Sequence, residues 1–386
     1  MDAKKLAATA ADPKKVFGRS PDQYILNIVK ESCQEAFNLP SFTTTLQTIK
    51  SHFFERNYDA VFQNPDHLPV YSARYAPSRA LCYYHLFREH PVLMKTLEGG
   101  PSTVLCIGSG AGSELVGIAA AMVHANPALK TKKKKTTAEK KDKDRDTAKE
   151  KDSSVAAAAA TAETMLHEDG AKETPTLAED DNTLGLEGLA VSKTEPSSTS
   201  VSTTTTNAED STAASKPVKK SKSNKHQVTI VMQDYVDWSS ILVPMETVVR
   251  SRLVLGPERL RCETEVGNVL DLSEGLLQRV AKADLITFMF VLNELFQDKK
   301  RTMLLVAKIV AAMPKGAHML VVDSAGSFSN LKVGERTYMV YMLLDHLKDL
   351  EIVYQDDATW YRCPPSLTYP LKLENMRHFV RIYKRR

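Results

Sequence analysis

Val104-Leu105-Cys106-Ile107-Gly108-Ser109-Gly110-Ala111-Gly112-Ser113-Glu114 passes from a short apolar run through three glycines into a segment with helical spacing. A four-residue apolar run that ends in glycine reads as a buried strand breaking into a turn, and the turn opens a helix over about Ser113 to Val123. Glycines there permit unusual backbone angles and close approach of a ligand, while the amides at the helix start attract anionic or carboxylate groups. Gly108, Ser109, Gly110 and Gly112 are therefore candidate ligand contacts, with Glu114 beside them. A dinucleotide fingerprint needs glycine at 113, where serine stands, and a nucleotide P-loop needs Gly-Lys-Ser/Thr, which is absent. Taken alone, the triplet also reads as a structural glycine turn.

Downstream, short apolar runs alternate with helical segments: Val228 to Met232, Cys262 to Val266, Asp284 to Phe290, His318 to Val322, Glu351 to Tyr354 and His378 to Tyr383. This alternation predicts an α/β fold, a mostly parallel sheet with helices on both faces and its ligand pocket at the carboxyl ends of the strands. Upstream, apolar residues at helical spacing predict helices over 22–37 and 42–54 and a third starting near Pro77 and running toward Pro91, an N-terminal helical appendage. None of the 12 Phe, 13 Tyr and 2 Trp falls within 127–226, a stretch opened and closed by lysine clusters and rich in Ala, Ser and Thr. Such a segment buries too little apolar surface to offset chain entropy and reads as a disordered insertion, with Ala156 to Ala160 a transient helix. The expected organisation is a flexible N-terminus (1–20), a helical region (21–98), and one ligand-binding domain (99–126 and 227–386) interrupted by the insertion (127–226).

A net charge of +4 excludes a wholesale polycation. Five scattered cysteines, none in CxxC spacing, argue for reduced thiols inside the cell and against a zinc site, so no metal is expected. Neither a signal peptide nor eighteen consecutive apolar residues is present, which points to a soluble protein without a membrane partner.

The strand ends supply an ordered set of polar groups. Val228 to Met232 leads into Gln233 and Asp234, where an acceptor suits the two hydroxyls of a ribose. The third strand leads into Gly267-Asn268-Val269-Leu270, which suits an adenine edge, with Asn268 and Val269 the candidates. The fourth leads into Asn293-Glu294 beside the glycine turn. This set resembles the class I S-adenosylmethionine-dependent methyltransferases, whose Rossmann-like sheet surrounds the methionine, ribose and adenine parts of the cofactor at these positions. Where that family commonly has an acidic residue two before the first glycine, this chain has Cys106, and Glu114 is the substitute. Tyr75-Ala76-Pro77-Ser78-Arg79-Ala80-Leu81, Tyr235-Val236-Asp237-Trp238, FMFVLNELF (288–296), DSAGSFS (323–329) and Trp360-Tyr361-Arg362 look like the fungal large-subunit (25S) ribosomal RNA uridine-N3 methyltransferases.

That resemblance implies S-adenosylmethionine as cofactor, ribosomal RNA or a pre-ribosomal large-subunit particle as partner, a role in ribosome biogenesis, a monomer, and work in the nucleus or nucleolus and also the cytoplasm. Methylating uracil N3 requires removal of its proton. Glu294 is the candidate base, assisted by Asn293, with Asp323 second; all three also read as helix or loop caps. No cysteine stands directly after the fourth strand, and Cys363, in Cys-Pro-Pro far downstream, reads as an ordinary loop cysteine, which disfavours carbon-5 chemistry; the Asp/Asn-Pro-Pro-aromatic turn of exocyclic-amine methyltransferases is missing. Arg74, Tyr75, Arg79, Trp360 and Arg362 are the expected RNA contacts, the cations on phosphates and the rings on bases. The competing readings are a non-catalytic RNA-binding assembly factor with this fold and a protein or small-molecule methyltransferase. Deleting residues 130 to 222 is expected to leave the thermal midpoint and the intrinsic methyl-transfer rate nearly unchanged, whereas collapse of soluble expression would show the insertion to be structural.

Overall fold

The computed structural model describes residues 12–98, 100–125, 226–326, 330–333 and 336–386. The expected disordered insertion, the Ala156 to Ala160 helix and the lysine clusters lie outside them. The strands are β1 (Ser102–Ile107), β2 (Val228–Asp234), β3 (Leu260–Val266), β4 (Leu285–Met289), β5 (His318–Ser324), the hairpin β6 (Asn330–Val333) and β7 (Arg336–Met339), then β8 (Leu350–Tyr361) and β9 (Met376–Arg385). Seven of them form one sheet in the order β3-β2-β1-β4-β5-β9-β8. β1 to β5 pair in parallel and β9 runs antiparallel to both β5 and β8. The order reverses between β1 and β4, the place where an open α/β sheet leaves a crevice for ligand.

Side chains alternate across this sheet and fill two cores. Val104, Cys106, Ile230, Met232, Leu285 and Val322 face one side. Leu105, Ile107, Val231, Ile286, Phe288 and Val321 face the other. The helices, in chain order, are α1 (Pro13–Phe17), α2 (Pro21–Ser32), α3 (Gln34–Phe37), α4 (Phe42–Phe54), α5 (Tyr58–Phe62), α6 (His67–Glu89), α7 (Pro91–Glu98), α8 (Ser113–His124), α9 (Ser239–Leu253), α10 (Glu274–Val280), α11 (Leu292–Leu295), α12 (Lys299–Ala312) and α13 (Val340–Asp345). The first core takes in α2, α6, α8 and α9, the second α10, α12 and α13.

Three expectations for the N-terminal part change. Residues 12–20 are structured: Asp12 caps α1, and Phe17 is buried against Tyr24, Tyr84 and His124. The helix expected over 22–37 breaks at Cys33 into α2 and α3. The helical region is also no appendage, because its buried residues belong to the same core as β1 and α8. α6 and α8 approach so closely that a Cβ on Gly117 would lie 2.8 Å from the Ala80 carbonyl oxygen and from Tyr83 Cβ.

The helix expected to start near Pro77 instead runs through it as the middle of α6. Proline has no amide hydrogen, so the carbonyl four residues earlier, on Ala73, loses its helical donor. Tyr369 supplies one, its hydroxyl donating to the Ala73 oxygen at 2.8 Å. The connection between β8 and β9 straps across the same stretch, since Glu374 pairs with Arg74 and its amide donates to the Ser78 hydroxyl at 3.2 Å. Tyr369→Phe is expected to cost about 1–2 kcal/mol by leaving that carbonyl unpaired. In a Pro77→Ala background, where the helical amide returns, the loss should shrink; denaturant titrations of the four proteins test this, and an equal loss in both backgrounds contradicts the assignment.

Candidate active site

The cleft opens at the carboxyl ends of β1, β2 and β4 and is walled on its fourth side by α5 and α6. β1 ends in Gly108 (φ 70°), and Gly112 (φ 83°) precedes α8, both in the left-handed region that only glycine enters at little cost. The space above these glycines is filled by protein. A Cβ would lie 2.3 Å from Val291 at Gly108, 1.9 Å from the Trp238 indole nitrogen at Gly110, and 2.3 Å from the Met245 sulfur at Gly112. The glycines therefore first admit the loops after β2 and β4 over the turn, and ligand meets the result. Gly108 and Gly110 line the cleft, whereas Ser109 is buried and donates to the Cys106 carbonyl at 3.2 Å.

Asp234 closes the turn from β2, accepting from the amides of Gly110 and Val236, each at 3.1 Å. Each carboxylate oxygen has a second lone pair, so Asp234 retains acceptor capacity toward the cleft. Asn268 lies at the mouth, where its side chain accepts from the Leu270 amide at 3.0 Å and shapes a single 3-10 turn; Val269 is buried beneath it. The Trp238 indole N–H and the Gln233 side-chain oxygen are buried in the cleft wall without a hydrogen-bond partner. Trp238 lies near enough to Asp234 to favour its ionised form without meeting hydrogen-bond geometry. Buried polar atoms in this state are the expected mark of a polar ligand's place.

β4 ends at Phe290, a non-glycine residue in the left-handed region (φ 57°) whose amide still donates to Val322 at 2.7 Å. This turn sends the chain into α11 and sets Glu294 in the cleft wall opposite Arg79 of α6. Arg79 donates to the Tyr71 hydroxyl at 2.9 Å and lies 5.2 Å above the Phe290 ring. Burial works against its charge, but Tyr71, Tyr83 and Glu294 more than offset that, so it stays a cation. Asp59, Glu114, Asp234 and Glu294 line the same cleft, among the described residues four carboxyl groups against one guanidinium. Burial pushes Glu114 and Glu294 up to about 8, with Arg79 opposing the shift and Asp234 adding to it. A negative, partly desolvated cleft of this kind suits a ligand that carries positive charge beside hydroxyl groups, as S-adenosylmethionine does, and the residues present fit that cofactor.

The other expected residues are placed differently. Asp323 is fully buried behind the cleft, accepting from the Asn293 amide at 3.2 Å and side-chain amide at 2.5 Å; burial raises it to about 6. This pair anchors the start of α11 and holds Glu294 in position. Arg74 is buried and spent on Glu374 and the Lys372 carbonyl, and Tyr75 packs among Tyr71, Phe53 and Arg79. Arg74 is thus withdrawn from the surface where the sequence reading expected an RNA contact, Tyr75 is half-buried, and Arg79 faces the cleft. Trp360 is exposed with Arg362 stacked 4.9 Å above it, on edge strand β8. Three strand spacings, roughly 14 Å, separate them from β4. The sequence reading gave no role to Trp238 or Phe290, although both stand in segments it singled out, and it passed over Tyr58 and Asp59.

Because Glu114 and Glu294 titrate near 4.5 when unfolded and near 8 when folded, the fold favours their neutral forms. Their contribution to stability is therefore full below about pH 4.5 and is lost as pH rises through 8. The thermal midpoint of the ligand-free protein is expected to fall between pH 5 and pH 8, and Glu114→Gln with Glu294→Gln should flatten that fall. An identical pH profile in the variant, measured by calorimetry, contradicts the placement of the two carboxyl groups.

Residues 29–384 match the family described as "Putative SAM-dependent methyltransferase". The chain is 25% identical to the 25S rRNA (uridine(2843)-N(3))-methyltransferase of Saccharomyces cerevisiae, over 99% of its own length and 90% of the relative's. Among solved structures it is similar to TehB of Haemophilus influenzae (TM-score 0.26, 13% identity, 42% of this chain and 50% of that one). It is also similar to a SAM-dependent methyltransferase of Methanosarcina mazei (TM-score 0.27, 15% identity, 41% and 82%). With β1 to β5 in the order 3-2-1-4-5, an antiparallel last strand, and a carboxylate-lined cleft at the switch point, the chain belongs to this family of S-adenosylmethionine-dependent methyltransferases.

Proposed function

We propose that this protein methylates N3 of a uridine in large-subunit ribosomal RNA, working in ribosome biogenesis in the nucleus or nucleolus. The full-length similarity to the yeast 25S rRNA enzyme supports the substrate, and the observation that carries the chemistry is Glu294. The cofactor, when bound, supplies an electrophilic methyl group on a sulfonium. A neutral imide N–H is a poor nucleophile toward it and must lose its proton. Glu294 takes that proton: it lines the cleft at the end of β4, and a carboxyl with a pKa near 8 is far better matched to a weakly acidic imide than an ordinary carboxylate. Positive charge entering the cleft draws Glu294 toward its ionised, base-competent form. Arg79, held by Tyr71 and Phe290, supplies the charge that stabilises the anion developing over the imide oxygens. Asp323 and Asn293 position the base, and Asp234, Asn268 and Val269 hold the ribose and adenine portions of the cofactor. The helices α1 to α7 complete the wall of the same catalytic domain.

Among the described residues, no group of three or more His, Cys, Asp and Glu side chains is arranged to hold a metal, and no helix is long and apolar enough to cross a membrane. Glu294→Gln is expected to lower the single-turnover rate roughly 10²- to 10⁴-fold while cofactor affinity is retained. The wild-type rate should rise with pH and level off once Glu294 is ionised, at a lower pH than its ligand-free value of about 8 because the bound cofactor's positive charge favours the carboxylate, and the variant's rate should go on rising as solvent takes over deprotonation. Nucleoside mass spectrometry of deproteinised large-subunit ribosomal RNA after reaction identifies the product as N3-methyluridine. Methyl incorporation into protein and none into RNA contradicts the substrate, and wild-type rates in Glu294→Gln at every pH contradict the base.

A further inference from the structure

We infer that the surface formed by Trp360, Arg362 and Arg377, where β8 and β9 meet at the cleft end of the sheet, holds an unpaired stretch of the RNA substrate apart from the target nucleotide; the inference rests on the RNA reading above. The cleft itself creates the need for such a surface. Among the described residues its lining offers four carboxyl groups and one guanidinium, and that guanidinium is enclosed by Tyr71 and Phe290. A polyanion gains little there, so its phosphates have to be held elsewhere on the same end of the molecule.

Strand register places the three residues at that end. β9 runs antiparallel to β5 with His378 opposite Ser324, the last residue of β5, and the Ala325 amide donates to the Arg377 carbonyl at 3.3 Å. His378 lies 6.4 Å from the ring of Phe290, which lines the cleft. Trp360 stands directly across the ladder from Arg377, so both side chains leave the same face of the sheet. Tyr361 turns the other way, toward His85 at 5.7 Å, and leaves Trp360 51% exposed with Arg362 stacked 4.9 Å over its ring. Both arginines are exposed, and among the described residues neither guanidinium is in an ion pair. The carboxylates nearest in the strands and their connection are engaged or turned away. Glu374 pairs with Arg74, Asp357 pairs with Arg381, and Asp356, opposite Val380, lies on the other face.

An exposed ring flanked by unpaired guanidinium groups is what a single strand of RNA requires. The indole offers its face to a base, and the two cations neutralise the phosphates on either side. Three strand spacings, roughly 14 Å, lie between this surface and β4, room for intervening nucleotides. The target base can therefore turn into the cleft while a neighbour stays held. The surface sets RNA affinity and leaves the chemical step to the cleft.

The test uses the intact protein with fluorescein-labelled oligouridylate followed by anisotropy, methylation of a large-subunit ribosomal RNA transcript, and calorimetry with S-adenosylmethionine. Trp360→Ala should weaken oligonucleotide binding about ten-fold, and Trp360→Phe should restore most of it. Arg362→Gln with Arg377→Gln should reduce the slope of log affinity against log salt by about 1.4. In every variant the KM for the transcript should rise while the rate at saturating RNA and the cofactor affinity stay at wild-type values, the last also reporting that the protein is folded. Unaltered RNA affinity and salt slope in variants of a protein that methylates the transcript overturn the surface, and so does a fall in the saturating rate without loss of affinity. A wild type that binds cofactor but transfers no methyl group to RNA overturns the substrate reading and the surface together.

Discussion

One buried guanidinium organises the site. Arg79 enters the cleft from α6, is oriented by Tyr71 and Phe290, and among the described residues is the single cation with four carboxyl groups in the lining. Burial already raises Glu114 and Glu294 to about 8, Arg79 opposes that rise at both, and without it they would be driven further toward their neutral forms. This accounts for the way the N-terminal helices are built into the sheet. Arg79 must come from an element fixed to a fraction of an ångström, and α6 is held against α8 at Gly117 and by the strap from the β8–β9 connection at Pro77. The helical layer is therefore part of the cleft wall.

The glycine turn shows a similar coupling of packing to chemistry. Its three glycines leave room for Val291, Trp238 and Met245, side chains from the loops after β2 and β4 and from α9. Gly110 is joined to Asp234 by a hydrogen bond, and Val291 sits two residues from Asn293. The turn thus fixes the relative positions of Asp234 and the segment that carries Glu294, both of which line the cleft. Cys106, at the position the sequence reading compared with an acid, faces the core with α6 and α8, and Glu114 in the first turn of α8 lines the cleft.

The sheet was legible in the sequence because β1, β2, β4 and β5 are buried on both faces and read as unbroken apolar runs. The glycine turn, Asp234, Asn268, Val269 and Glu294 were legible because strand ends in this topology fall at the pocket. What failed has one physical cause, a partner distant along the chain. Pro77 looks like a helix start until Tyr369 supplies the donor its nitrogen lacks. Arg74 looks like a phosphate contact until Glu374 neutralises it, and Arg79 looks exposed until Tyr71 and Phe290 enclose it. Asp323 reads as a strand-end acid in sequence, and only the fold shows it buried behind the cleft with both oxygens hydrogen-bonded to Asn293.

The central claim is that a cleft holding neutral or half-ionised carboxyl groups is completed by a positively charged cofactor that ionises them. Calorimetric titration of the protein with S-adenosylmethionine near pH 7, repeated in buffers of different ionisation enthalpy, measures the protons exchanged on binding. Glu114 and Glu294, held near 8 in the ligand-free protein, should release protons as the cation enters, and the release should fall when either is replaced by glutamine. Binding with no proton exchange, or with uptake, contradicts the account.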